Sequence, residues 1–296
     1  MSSERIQPGK SAIALGPSGS GKSHLIASAL EMEGSGVLCL AQGNDELESY
    51  RRFYKDADFL ITSEDAARLV KVDEKGKNPR LVSEKPFLIA TFDDPDFFPS
   101  LDLWKATGLT SALSFLRLIV AATKERAAQG LAPQWNVLGL DTFSGIGDLA
   151  NNSMCSELKV SVPPKARGDG GAQYYIGYKN KLNEVARACR AIRGYGTHWL
   201  ASSHVQLKEA PETFSGQDVV AKEQQMAMFT GAFREMVPGF FDLVLYTGID
   251  SQGKHYAQYQ PDKFRSSKSR YKMEENALDA KGRIENDWPT INKAIK

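Results

Sequence analysis

Apolar runs of strand length alternate along this chain with segments of helical period. Residues 11–15 (SAIAL), 36–41 (GVLCLA), 87–92 (FLIATF), 136–140 (NVLGL), 197–202 (THWLAS) and 241–247 (FDLVLYT) are continuous enough in apolar character to be strands covered on both faces. Helix formers fill 22–32. From 111 to 129 the positions Ala112, Leu113, Leu116, Ile119 and Val120 recur at helical spacing, and Gly130 ahead of Pro133 ends the run. A longer helix is marked by Tyr175, Tyr178, Leu182, Val185, Cys189 and Ile192 and closes near Gly194 and Gly196. Residues 255–260 can fold back on the preceding strand as a hairpin across Ser251, Gln252 and Gly253. Alternation of this kind predicts an α/β fold, a mostly parallel sheet with helices on both faces and a C-terminal β-hairpin.

Two stretches fit no element. Residues 151–171 hold Pro163, Pro164, Lys165, Arg167 and the run Gly168, Asp169, Gly170, Gly171, which reads as a flexible basic loop; residues 207–225 are polar, with Pro211 and Gly216. Both leave the sheet after a strand, and loops of that length commonly carry function.

Composition narrows the class. At 296 residues, with 42% apolar and 25% charged residues, the chain suits one globular α/β core with insertions, and the balance of 37 basic against 36 acidic side chains leaves any polyanion binding to local patches. Cys39, Cys155 and Cys189 form no CxxC pair, so neither a disulfide framework nor a zinc site is expected. No apolar stretch reaches the length of a membrane span or of a signal core, so the expectation is a cytoplasmic protein without a membrane partner.

Chemistry concentrates after the first strand. Gly16, Pro17, Ser18, Gly19, Ser20, Gly21, Lys22 and Ser23 match GxxxxGK[ST] at every fixed position, between a strand and a helix, with His24 next in line. Glycines there let successive N–H groups converge on one point at the positive end of the helix, which makes an anion cup. Lys22 would reach the β and γ phosphates of ATP, and Ser23 would place its hydroxyl on Mg²⁺. Asp141, closing the strand at 136–140, is the expected second metal anchor. For the group that activates water, Gln42, Asp45 and Glu46 follow the second strand and Asp93 and Asp94 the third; Glu46 is preferred, against the plain alternative of a solvated residue opening a helix. His204, after the strand at 197–202, could sense the γ phosphate or be an ordinary loop histidine, whereas His198 and His255 show no ligand spacing and read as structural.

The order of these motifs resembles the phage-type RecA-like P-loop ATPases, a group that includes phage single-strand annealing and recombination ATPases. The resemblance spans most of residues 9–272 and implies one ATPase domain over 1–272, with 273–296 as a C-terminal tail or helix. In such proteins the loops after the Asp-bearing strand and after the sensor strand line a channel for DNA, so 151–171 and 207–225 become the expected contacts with single-stranded DNA, through Lys159, Lys165, Arg167, Lys208 and Lys222. The basic run from Lys263 to Lys272 would supply fingers, Lys268 and Arg270, acting across the interface of a homo-oligomeric ring or filament; a solvated basic tail is the competing reading. Two departures stand out. Ala41, Gln42 and Gly43 occupy the place where the group often closes the second strand with an acid, and residues 54–85 look like an insertion with its own hairpin or lid.

The implied activity is ATP hydrolysis coupled to single-stranded DNA in recombination, annealing or replication, in the host cytoplasm if the chain is phage-encoded. A packaging or assembly motor, or a nucleotide switch acting on protein partners, is the alternative. Stacking aromatics are sparse in both loops: only Phe214 lies inside one, and Tyr174 and Tyr175 just beyond the other.

Overall fold

The computed structural model of the chain describes residues 7–41, 47, 50–51, 54–61, 63–72, 79–209, 223–229, 233–260 and 268–296. Along the chain these form β1 (Ser11–Gly16), α1 (Lys22–Glu33), β2 (Gly36–Ala41), β3 (Ala57–Leu60), α2 (Ser63–Leu69), β4 (Val70–Lys71), β5 (Arg80–Leu81), β6 (Phe87–Phe92), β7 (Phe97–Phe98), β8 (Leu103–Trp104), α3 (Gly108–Ala128) and β9 (Val137–Asp141). There follow α4 (Phe143–Leu158), α5 (Gly171–Arg193), β10 (His198–Glu209), β11 (Glu223–Ala227), α6 (Phe233–Phe240), β12 (Leu243–Ile249), β13 (His255–Gln258), β14 (Lys268–Ser269), β15 (Arg283–Glu285) and α7 (Trp288–Ala294). The fold is α/β and mostly parallel in its sheet, consistent with a RecA-like core. Two compact units divide it, one of residues 1–10 and 33–199, the other of 11–32 and 200–296.

In the first unit the strands run β9-β2-β6-β3, all neighbours parallel. Val37 of β2 lies between Leu138 of β9 and Leu88 of β6, and each of the three is fully buried, which is why these strands read as unbroken apolar runs rather than alternating ones. Helices α3 and α4 both pack on α5, with Leu116, Ile119, Leu149, Leu182 and Val185 in the core. Among the described residues of 54–85, β3 joins the main ladder beside β6, α2 follows it, and β4 and β5 form a small antiparallel pair.

In the second unit the order is β15-β13-β12-β1-β10, with β11 on β10 and β14 on β12. β1 pairs parallel with β12, Ala12 opposite Leu243 and Leu15 opposite Tyr246. β12 and β13 form the antiparallel hairpin expected near the C-terminus, and Asp250 fixes its turn by accepting from the amides of Gln252 and Lys254. The last segment is a structural member of this unit: β15 pairs with β13, and Trp288 and Ile291 of α7 are buried in the core. Among the described residues, no helix is long and apolar enough to cross a membrane.

Three expectations need correction. The first part of the supposed loop at 151–171 is helix, because α4 continues to Leu158 with Ala150, Met154 and Cys155 on its buried side; only 159–170 remain irregular. Residues 207–225 do not lack structure throughout, since β10 runs on to Glu209 and pairs antiparallel with β11, Val205 opposite Ala227 and Glu209 opposite Glu223, while 210–222 lie outside the described residues. His204 therefore sits inside a strand and not at its end, because the polar run after Ser202 finds backbone partners in β11 that its side chains did not advertise.

Candidate functional site

The loop between β1 and α1 belongs wholly to the second unit. β1 delivers it from a fully buried strand, and Gly19 and Gly21 adopt φ of 73° and 87°, values that side-chain-bearing residues rarely take. Reversals of that hand turn consecutive amides toward one concave side, the geometry of an anion nest at a helix N-terminus. Helix α1 starts at Lys22, whose ammonium donates to the Pro17 carbonyl at 2.7 Å and folds the side chain back over its own loop. A buried ammonium held by a neutral carbonyl is a cation for which a phosphate oxygen is the stronger partner.

The loop is braced on both flanks. On one, Ser20 Oγ lies 2.7 Å from Thr247 Oγ1 and donates to Pro17 O at 2.8 Å, and a Cβ at Gly16 would collide with both hydroxyls. Glycine is required there by close approach. On the other flank Asn286 Nδ2 donates to the Gly21 carbonyl at 2.7 Å, and a Cβ on Gly21 would stand 2.9 Å from His255 Nδ1. Sequence reading missed Thr247, His255 and Asn286, since all three reach the loop through the β1–β12–β13–β15 order, which no local pattern encodes. A loop with two left-handed glycines and one ammonium folded over it, with the Ser23 hydroxyl in the first turn of α1, has the donor set that a phosphate chain with a metal ion would need.

Asp141 belongs to the first unit, at the carboxyl end of β9, with a relative exposure of 1%. Tyr50 Oη donates to its Oδ2 at 2.9 Å, and the Tyr50 ring stacks on Tyr54 at 6.2 Å between centroids. Tyr50 was not foreseen, although Leu47, Tyr50 and Tyr54 follow a helical step and all three are buried. Asp141 leads directly into α4, whose N-cap Thr142 accepts from the Gly145 amide at 2.9 Å.

The remaining expected residues scatter. His204 offers its carbonyl to the Met228 amide at 2.8 Å and to the Ser203 hydroxyl at 3.0 Å. Arg270 is tied to the start of β12, its guanidinium 2.9 Å from the Asp242 carboxylate and its amide donating to the Asp242 carbonyl at 2.8 Å. Tyr271 and Ser11 also donate to Asp242 Oδ2, at 3.2 and 2.9 Å. Since Ala12 pairs with Leu243, this cluster marks the amino-terminal edge of β1 and β12, and the glycine loop leaves β1 at the other edge. Lys268 is described only as backbone, in β14, opposite Val244. Glu46, with Gln42 and Asp45, falls outside the described residues, as do Lys222 and Phe214; of Lys208 only the backbone is described. Lys159, Lys165 and Arg167 are exposed on the short loop after α4, where Lys159 Nζ stands 5.3 Å from the Trp104 ring.

No protein-family model matches the chain, and a search of curated proteins finds no match.

Proposed function

We propose that the chain is a RecA-like P-loop ATPase that binds Mg-ATP on the loop from Gly16 to Ser23 and hydrolyses it to ADP and phosphate. The observation that carries this reading is the loop itself: two left-handed glycines, a buried strand before it, a helix starting at its lysine, and that lysine folded over the loop at 2.7 Å from Pro17 O. In the reaction Lys22 holds the β and γ phosphates and meets the charge that grows on them. Ser23 and Asp141 are each proposed, from the sequence pattern, as a residue that would ligate Mg²⁺, and the ion when bound would supply charge neutralisation on the phosphates. Glu46 is the base that orients water, and His204 the group that relays the state of the γ phosphate to β10 and β11.

Single-stranded DNA is the proposed partner, and the exposed Lys159, Lys165 and Arg167 support it as contacts to the sugar-phosphate backbone. A second reading has its own support. Phe98, Leu101 and Leu103 on the β7–β8 hairpin are all about half exposed or more, an apolar surface better suited to a protein than to DNA, as in a motor or switch working on protein partners or on copies of itself.

ATPase rates with and without single-stranded DNA separate the two. The first reading expects stimulation that falls with salt; no stimulation and no salt-sensitive binding would remove DNA as the partner and leave the protein-directed cycle.

A further inference from the structure

We propose that His255 and Asn286 form the nucleoside subsite of this loop, with the base of the bound nucleotide lying against the His255 ring; the inference rests on the nucleotide reading above. In a loop of this type the backbone amides cradle the α and β phosphates while the lysine reaches toward β and γ. A bound nucleotide would carry its nucleoside on the α phosphate, out of the cup, and the side chains that stand over the last glycine of the loop, Gly21, are candidates to meet it.

Two such side chains stand there, and they come from one ladder. Tyr256 of β13 pairs with Glu285 of β15, so His255 and Asn286 continue that ladder by one residue, side by side over the loop. His255 Nδ1 and Cγ stand 2.9 and 3.2 Å from where a Cβ of Gly21 would be, and the imidazole is otherwise exposed. A flat aromatic ring, open to solvent on the nucleoside side of a phosphate cup, is a surface on which a base stacks.

Asn286 gives an independent sign. It is only 2% exposed, its Nδ2 is spent on the Gly21 carbonyl, and its Oδ1 is buried with no hydrogen-bond partner among the described residues. A buried acceptor left without a donor is costly, and a site that receives a donor from its ligand is a standard reason for one to persist. Ribose hydroxyls and exocyclic amino groups are such donors, and phosphates are not. The ligand class is thus a nucleoside triphosphate, with purines favoured over pyrimidines by the larger stacking face.

Calorimetric binding of Mg-ATP and of magnesium tripolyphosphate, which has no nucleoside, tests this on wild type, His255→Ala and His255→Phe. The expected result is an ATP affinity about tenfold weaker in His255→Ala, near wild type in His255→Phe, and tripolyphosphate unchanged in both. Unchanged ATP affinity in His255→Ala would overturn the subsite. Equal loss of both ligands would also overturn it, since His255 would then shape only the phosphate loop. A wild-type protein that binds tripolyphosphate no worse than ATP contradicts the subsite alone, whereas one that binds neither contradicts the phosphate loop as well.

Discussion

Tyr50 donates its phenolic hydrogen to Asp141 Oδ2 across 2.9 Å, and both side chains are almost wholly buried. A carboxylate buried at the end of β9 needs such a donor, because desolvation without a partner is costly. The bond also fixes which way the carboxylate faces, which is what an outer partner would do if Asp141 ligates Mg²⁺ as proposed. Tyr50→Phe should lower stability by about 1–2 kcal/mol in urea unfolding. It should also raise the Mg²⁺ concentration that half-saturates turnover by about tenfold. Unaltered Mg²⁺ dependence would mean that the pair is only structural.

Arg270 and Asp242 make a second testable pair. The carboxylate is buried and the guanidinium is more than half exposed, so solvent screens much of the attraction and Ser11 and Tyr271 still serve the acid when Arg270 is gone. Arg270→Ala should therefore cost about 1–2 kcal/mol of unfolding free energy, below the 3–5 expected for breaking a fully buried pair. If Arg270 is in addition a finger acting on a neighbouring subunit, the variant will bind ATP, fail to turn it over, and regain activity when mixed with Lys22→Ala. A folded Arg270→Ala protein with full turnover removes the finger and leaves the structural role.

Trp288 is fully buried in the second unit, and its backbone amide donates to Ser28 Oγ of α1 at 2.9 Å. Trp288→Ala should destabilise by about 3–5 kcal/mol, as large cavities do. Denaturation midpoints read this directly. A loss below about 1 kcal/mol would show that residues 273–296 do not brace the second unit.

What the sequence disclosed and what it hid divide by the range of the forces involved. β2 and β6 were legible residue for residue, since strands buried on both faces must be apolar throughout, and the strand–loop–helix step from β1 to α1 was legible because glycines and helix formers act locally. Helix α4 was not read from the sequence, and its first turns carry Gly145 and Gly147, residues with weak helix propensity. Gly145 is there for another reason: a Cβ would stand 2.6 Å from the Ala41 carbonyl, so the glycine lets α4 approach the end of β2. Residues 273–296 looked like a tail because β15 is three residues long and gains its place only by pairing with β13. Thr247 and Asn286 approach the loop from 227 and 265 residues away in sequence, a relation that only the strand order creates.

The first unit carries a pH-sensitive cluster. His198 accepts from the Lys10 amide through Nδ1 at 2.9 Å and faces Glu33 at 3.6 Å. Burial, with the Lys10 charge adding to it, holds the His198 imidazole below its ordinary range. Because the unfolded histidine takes a proton more readily, the folded state keeps this stability above the ordinary histidine range and loses it as pH falls through and below that range. Glu33, raised by burial, works in the opposite direction at lower pH. Wild type should lose melting temperature between about pH 7 and 5, and His198→Gln should lose less across that window. Equal slopes for the two proteins would exclude His198 as the source.

An ATPase built on this fold must hold a triphosphate on the loop from Gly16 to Ser23. Equilibrium binding of ATP in the presence of Mg²⁺, measured on wild type and on Lys22→Ala at matched folded concentration, tests it most directly. Saturable binding by wild type, much weakened in Lys22→Ala, is the predicted result; a folded wild-type protein with no affinity for purine nucleotides in the presence of magnesium would contradict it.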